Sequence, residues 1–165
     1  MWSFTQKLIR MLHFRKAEIS DLNLYYHWAM DETVRNQSFN SATISLENHS
    51  NWFLNRLKNL NSLLLIFFNE QKQDVGQVRI EKQIDNQAVI GISVDKNFRG
   101  LAYSSDMLQQ ATTFFFEHNH NFAINAYIKV ENIGSQKAFE KANFLLKEII
   151  IYENHKSFHY IKKGL

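Results

Sequence analysis

The sequence holds no cysteine, no proline and only five glycines in 165 residues. Without thiols there are no disulfides, no thiolate metal ligands and no cysteine nucleophile. That fits a reducing compartment, and the expectation is a cytoplasmic protein. The missing proline goes with an abundance of Asn, Lys, Ile and Phe; it reads as genome base composition, here bacterial, and carries no functional weight. No apolar run approaches the roughly 20 residues needed to cross a bilayer. The opening MWSFTQKLIRML lacks the apolar core and cleavage site of a signal peptide. Residues 1–11 are therefore set apart as a short N-terminal extension, and Met11 would also serve as a start. Charge of one sign is also scarce. A net +3 spread over scattered pairs favours a small anionic ligand and not nucleic acid, which calls for a concentrated basic stripe. His118 and His120 in EHNHNF have metal-like spacing but no carboxylate cluster nearby, so no metal is expected.

What is present is a globular composition, 45% hydrophobic and 14% aromatic, with no repeat or linker. Residues 12–165 are read as one domain. His13–Ala17 reads as a strand. Asp21–Met30 reads as a helix capped by Ser20, and Ser45–Leu57 as a second, with Leu46, Ser50, Phe53 and Leu57 on one face. The period then changes to that of strands at Leu63–Asn69, Val75–Glu81 and Ala88–Val94, an antiparallel meander. Ser104–Phe116 is a helix, Ala123–Val130 a strand, Ser135–Ala142 a helix, and Phe144–Tyr152 with Phe158–Ile161 a closing strand pair. Strand 88–94, its helix and strand 123–130 make a βαβ unit with parallel strands. The expected fold is a mixed α/β sheet with helices on both faces.

In such a unit ligands collect where the first strand ends and the helix begins. That point is FRGLAYSSDML, residues 98–108. The helix N-terminus favours a negative group there, and Arg99 offers a charge-assisted contact. One glycine, Gly100, is few for a phosphate cradle; alone, the stretch reads more readily as a turn. A second segment, VENIGSQKAFEKANF, follows the next strand and reverses that balance.

The order of elements and these two segments together resemble the GCN5-related N-acetyltransferases. That family carries Arg/Gln-x-x-Gly-x-Gly/Ala after the fourth strand, matched by Arg99, Ala102 and Ser104. It carries Asn-x-x-Ser/Ala…Tyr-x-x-x-Gly-Phe after the fifth, matched by Asn132, Ser135, Phe139, Asn143 and Phe144. The resemblance implies that the parallel strands splay apart and that acetyl-coenzyme A is the co-substrate. The amides of Arg99, Gly100, Leu101, Ala102, Tyr103 and Ser104 would hold its pyrophosphate. The backbone of Ile92 and Val94 would pair with its pantetheine arm, with Asn132, Ser135 and Phe139 beside it. With Ala102 and Ser104 where glycine is common, the loop is expected to be helical or extended there, Gly100 taking the sharpest bend. Phe139 stands where relatives carry a proton-donating tyrosine, and Val89 where many carry a glutamate base. Tyr127 and His49 are the candidate catalytic replacements.

The N-terminal third resembles more closely the branch linked to bacterial pseudaminic-type sugar biosynthesis, through Val34, Arg35, Ser38, Phe39, Asn40, His49, Trp52 and Phe53, then Gly76, Gln77 and Arg79. The implied acceptor is the amine of a nucleotide-linked sugar. Arg35 and Arg79 would take its phosphates, Phe39 or Trp52 would stack on its base, and Gln77 would line the site. Rival readings are a ribosomal-protein or protein N-terminal acetyltransferase, and a degenerate acyl-coenzyme A binder. No nucleic-acid or membrane partner is expected, and a homodimer is left open.

Overall fold

Alternation along LLLIFF has to satisfy two faces at once, and the computed structural model shows how. It describes residues 11–164, so the expected N-terminal extension lies, except for Met11, outside the described residues. Leu65 and Phe67 point into a core with Val78, Ile80, Met107 and Leu108. Leu64 and Ile66 point the other way, into a smaller cluster with Tyr25, Trp28 and Phe53. A strand buried on both faces is apolar throughout, and burying each such side chain stabilises by about 1.5–3 kcal/mol.

The elements are β1 (Leu12–Lys16), α1 (Leu22–Met30), α2 (Glu32–Gln37), α3 (Leu46–Lys58), β2 (Ser62–Asn69), β3 (Asp74–Lys82) and β4 (Gln87–Val94). They continue as α4 (Tyr103–Phe116), β5 (Ala123–Lys129), α5 (Ile133–Lys141), β6 (Leu145–Tyr152) and β7 (His155–Lys163). The seven strands run in the order β1-β2-β3-β4-β5-β7-β6, and the pair β4–β5 is parallel. Helices α4 and α5 cover one face; α1 and α3 cover the other. The mixed sheet with helices on both faces is therefore as the sequence indicates.

Two local readings need correction. Ser20 does not cap α1: a 3-10 turn, Ile19–Asp21, intervenes, with Glu18 as its cap and Asp21 as the N-cap of α1. Asp21 is drawn inward because Arg15 on β1 grips its carboxylate at 2.7 Å. Helix α2 was not anticipated, since six residues carry too little periodicity; Asp31 starts it by accepting from the Val34 amide at 3.1 Å. Ser45, by contrast, caps α3 as its position indicates, accepting from the Asn48 amide.

Candidate active site

The parallel ladder between β4 and β5 is short. It pairs Gln87–Val89 with Ala123–Asn125 and stops. Beyond that point β4 stays bonded to β3 as far as Val94, and β5 to β7 as far as Lys129, so the sheet opens into a fork. Asn125 sits at its base, and its Nδ2 donates to the Ala88 carbonyl at 3.2 Å and Gln87 Oε1 at 2.9 Å.

One wall of the fork is the turn from β4 into α4, and it is held by its own bonds. Asp95 Oδ1 accepts from the Asn97 amide while Oδ2 accepts from Trp28 Nε1 at 2.9 Å. Arg99 donates from Nε to the Val94 carbonyl at 3.2 Å and from Nη2 to Asp31 at 2.5 Å. Burial alone would raise the Asp31 carboxyl, but Arg99 and the Val34 and Thr33 amides outweigh it and hold it below the usual range. Arg99 thus ties the turn to the α1–α2 junction, and its charge is spent inside the protein. The loop backbone also differs from expectation. Gly100 has φ 73°, but Ala102 has φ 61° and ψ 22°, so an alanine occupies the left-handed region at the N-cap of α4. That conformation costs about 1–2 kcal/mol for a residue with a Cβ. Leu101 is exposed, Tyr103 is buried with its ring edge-on to Phe98, and Ser104 is half-buried. Ile92 and Val94 lie half-buried on the arm of β4 that has parted from β5.

After β5, Asn132 caps α5 by accepting from the Ser135 amide at 3.2 Å. Phe139 is 3% exposed and packs edge-on to Phe144, so its ring belongs to the core and not to the fork.

The other wall is a cleft of about 560 Å³, lined among others by Arg79, Gly91, Asn125, Tyr127, Tyr152 and His159. Period-two placement on β5 brings Asn125 and Tyr127 to this face, away from the core residues Ile124, Ala126 and Ile128. Tyr127 is stacked between Tyr152, at 4.0 Å and 3°, and His159, at 4.7 Å and 26°. Burial, then the Glu148 charge, raises the Tyr127 hydroxyl above its ordinary value and keeps it protonated. His159 Nε2 meets Asn125 Oδ1 at 2.7 Å, and Nδ1 meets Glu148 Oε1 at 3.2 Å. Because Asn125 spends its NH₂ on Ala88 and Gln87, its oxygen faces the His159 ring. The His159 hydrogen bond, foremost, holds the Glu148 carboxyl below its usual range.

Deeper on this face stands a second polar group. Arg79 lies over the Trp52 ring at 5.9 Å and has no carboxylate partner among the described residues. Its guanidinium rests on β4 opposite Gly91, where an added Cβ would come within 3.0 Å of Arg79 Cζ. Among the described residues Arg35 donates to uncharged oxygens alone, those of Asn40, Ala42 and Ser38, and its buried Nε has no partner there. Gln77 donates to Ser93 at 3.2 Å while its Oε1 is unpaired. Phe39 meets Tyr152 edge-on at 4.8 Å, with Lys129 Nζ 5.9 Å from its ring. His49 does not reach the cleft: it is 3% exposed, packed against Tyr26, Trp52 and Phe53. Burial and then Arg35 lower its pKa, so it is a neutral core histidine at neutral pH. Asn125, His159, Glu148, Tyr152 and Gly91 were not singled out from the sequence. The period of β5 signals Asn125; the others depend on cross-strand neighbours that no local pattern records.

A mixed sheet forked between two parallel strands, with a helix N-terminus on one side and a polar cleft on the other, defines an acetyltransferase class, and the chain belongs to it. The model of the acetyltransferase (GNAT) domain family matches residues 11–145. Among solved structures, the spermidine N-acetyltransferase from Vibrio cholerae in complex with CoA and spermine superposes with a TM-score of 0.79. It is 15% identical, covering 91% of this chain and 93% of that one. The aminoglycoside acetyltransferase AAC(6')-Ib in complex with coenzyme A and kanamycin also gives 0.79, at 11% identity, covering 93% and 95%. A domain from Methanocaldococcus jannaschii DSM 2661 gives 0.79 at 19% identity, covering 93% and 98%. At these identities the likeness is one of fold. No curated protein matches the chain.

Proposed function

We propose that this chain transfers the acetyl group of acetyl-coenzyme A to the primary amine of a nucleotide-linked amino sugar. The observation that carries the acceptor is the pair Arg35 and Arg79. Both are cations without a carboxylate partner among the described residues, and Arg79 is close enough to depress the Arg35 pKa further after burial. Two such charges on one wall suit a diphosphate. A polycationic acceptor would need open carboxylates, but Glu81 is engaged by Arg56 at 3.0 Å and Glu148 by His159 and Lys147.

In this reading the pyrophosphate of the cofactor sits at residues 99–104, where the α4 dipole and turn amides favour negative charge. Arg99 acts there by bracing the turn. The pantetheine arm runs into the fork beside Ile92 and Val94, with Asn132, Ser135 and α5 on the opposite bank. The thioester then reaches Tyr127 at the base of the fork. The acceptor nitrogen attacks the carbonyl carbon, the C–S bond breaks, the thiolate takes the Tyr127 phenolic proton, and water from the open cleft returns a proton to the phenolate. The amine proton leaves to water through the open cleft, so no side-chain base is assigned. Phe39 and Trp52 offer aromatic faces for the nucleobase, and Gln77 a buried carbonyl for hydrogen bonding.

Calorimetry with acetyl-coenzyme A, followed by thiol release with UDP-4-amino sugars, spermidine, kanamycin and a ribosomal-protein N-terminal peptide, tests this. Turnover on the sugar nucleotide alone is expected. Cofactor binding with turnover only on another amine would overturn the acceptor, and no cofactor binding would overturn the whole reading.

A further inference from the structure

Helix α2 lies across the fork, and each arm of the fork holds one end of it. At the N-terminal end Asp31 is gripped by Arg99, which also donates to the carbonyl of Val94, the last residue of β4. At the C-terminal end the Asn36 carbonyl accepts from Lys129 Nζ at 3.1 Å, and Lys129 is the last residue of β5. Asp31 and Asn36 stand about 7.5 Å apart along the helix, at about 1.5 Å per residue, against about 4.8 Å between bonded strands. That span suits two strands that have parted. Of the carbonyls the short helix leaves open, the Ser38 amide answers those of Val34 and Arg35, and Lys129 answers that of Asn36.

Two residues beyond Tyr127, Lys129 shares that residue's face of β5. It is 5% exposed, and among the described residues it makes no ion pair. The Phe39 ring stands 5.9 Å from its Nζ. A buried ammonium without a carboxylate is costly, and an apolar side chain of like volume would pack there as well or better. What only the ammonium supplies is a donor to α2 from across the fork. The two ends of α2 depend on it unequally. The N-terminal end follows α1 directly and has Arg99 besides. The C-terminal end runs into residues 38–45, which form no helix or strand and meet the β6–β7 hairpin through Phe39, edge-on to Tyr152 and His155. Arg35 precedes Asn36 and donates into the same segment, to Ser38, Asn40 and Ala42. We propose that Lys129 is a positioning residue for the acceptor: it clamps the C-terminal end of α2 onto β5 and so holds Arg35 in place. The effect on the acceptor rests on the reading of Arg35 and Arg79 as its phosphate ligands; the clamp itself does not.

Lys129→Met keeps the length of the side chain and removes the donor. With acetyl-coenzyme A saturating, it should raise the KM for the sugar nucleotide about tenfold, the low end for losing a hydrogen bond to a charge, and leave kcat and Tm as in wild type. A lysine that served stability alone would move Tm and not that split. Because Lys129 acts through Arg35, adding Lys129→Met to Arg35→Ala should raise KM no further. Hydrogen exchange of the full chain without acceptor reads the clamp by itself. Lys129→Met should speed exchange at residues 36–42 and leave α1 unchanged. Unchanged exchange at residues 36–42 overturns the clamp, and faster exchange with an unchanged KM overturns the positioning role. Wild-type turnover confined to another amine overturns the acceptor reading alone, and exchange still decides the clamp.

Discussion

The two walls of the fork solve opposite problems. On the β4–α4 wall the half-buried charges are answered from within: Asp95 by Trp28, Arg99 by Asp31 and the Val94 carbonyl. On the cleft side Arg79 has, among the described residues, no carboxylate but an aromatic face, and Arg35 and Gln77 keep buried atoms without partners there. An unpaired buried polar atom costs about 1–3 kcal/mol, a cost a wall can carry when a ligand later satisfies it. The first wall is shaped before anything binds. The second keeps unpaired polar atoms, and in the proposed reading the acceptor completes it and sets selectivity there.

Five measurements break or sharpen that contrast. Tyr127→Phe, where the walls meet, should lower kcat about a hundredfold with little change in either KM, the low end for a proton-transfer group. Arg79→Ala should raise the acceptor KM about ten- to a hundredfold, the range for losing a hydrogen bond to a charge, and leave the acetyl-coenzyme A Kd unchanged. Arg99→Ala should do the reverse: weaken cofactor binding about tenfold and lower Tm. Asp31→Asn should mimic it, and the double variant should be far from additive, because one tie is lost in each case. Gly91→Ala should raise the acceptor KM a few-fold without loss of Tm, since the new Cβ meets only the flexible end of Arg79.

The smallest effect is expected away from both walls. Arg15→Gln should destabilise by less than about 1 kcal/mol at pH 7, as Arg15 is 40% exposed. The Arg15 hydrogen bond, foremost, holds Asp21 below its ordinary value. On acidification the unfolded chain therefore takes up the Asp21 proton first. The stabilisation is whole above the ordinary carboxylate value, roughly 4, and is lost as pH falls through the lower folded value. Urea midpoints of wild type and variant should converge as the pH falls below that folded value.

Much of the fold is legible in the chain because burial imposes a period. Residues 63–69 and 88–94 alternate or run apolar, α3 presents a stripe, and Ser45 marks its start. The misses have physical causes. Helix α2 is too short to show a period, and Ser20 lost its place when Arg15 pulled Asp21 inward. At the site, Arg79 and Tyr127 are legible by type and strand position. The left-handed Ala102 is not, because an alanine gives no sign that it will accept such a backbone. His49 has the chemistry of a base, but its surroundings are Tyr26, Trp52 and Phe53.

By itself, then, the sequence determined the order of the strands and longer helices and the βαβ unit, because these follow from local periodicity, and its resemblance to a known family implied the kind of chemistry. Tertiary structure alone decided which polar groups are spent and which remain. Whether Arg99 reaches out or braces a turn depends on Asp31, 68 residues away in the chain. Whether Arg79 has a seat depends on a glycine across the ladder, and Tyr127 on the rings of Tyr152 and His159 that clasp it.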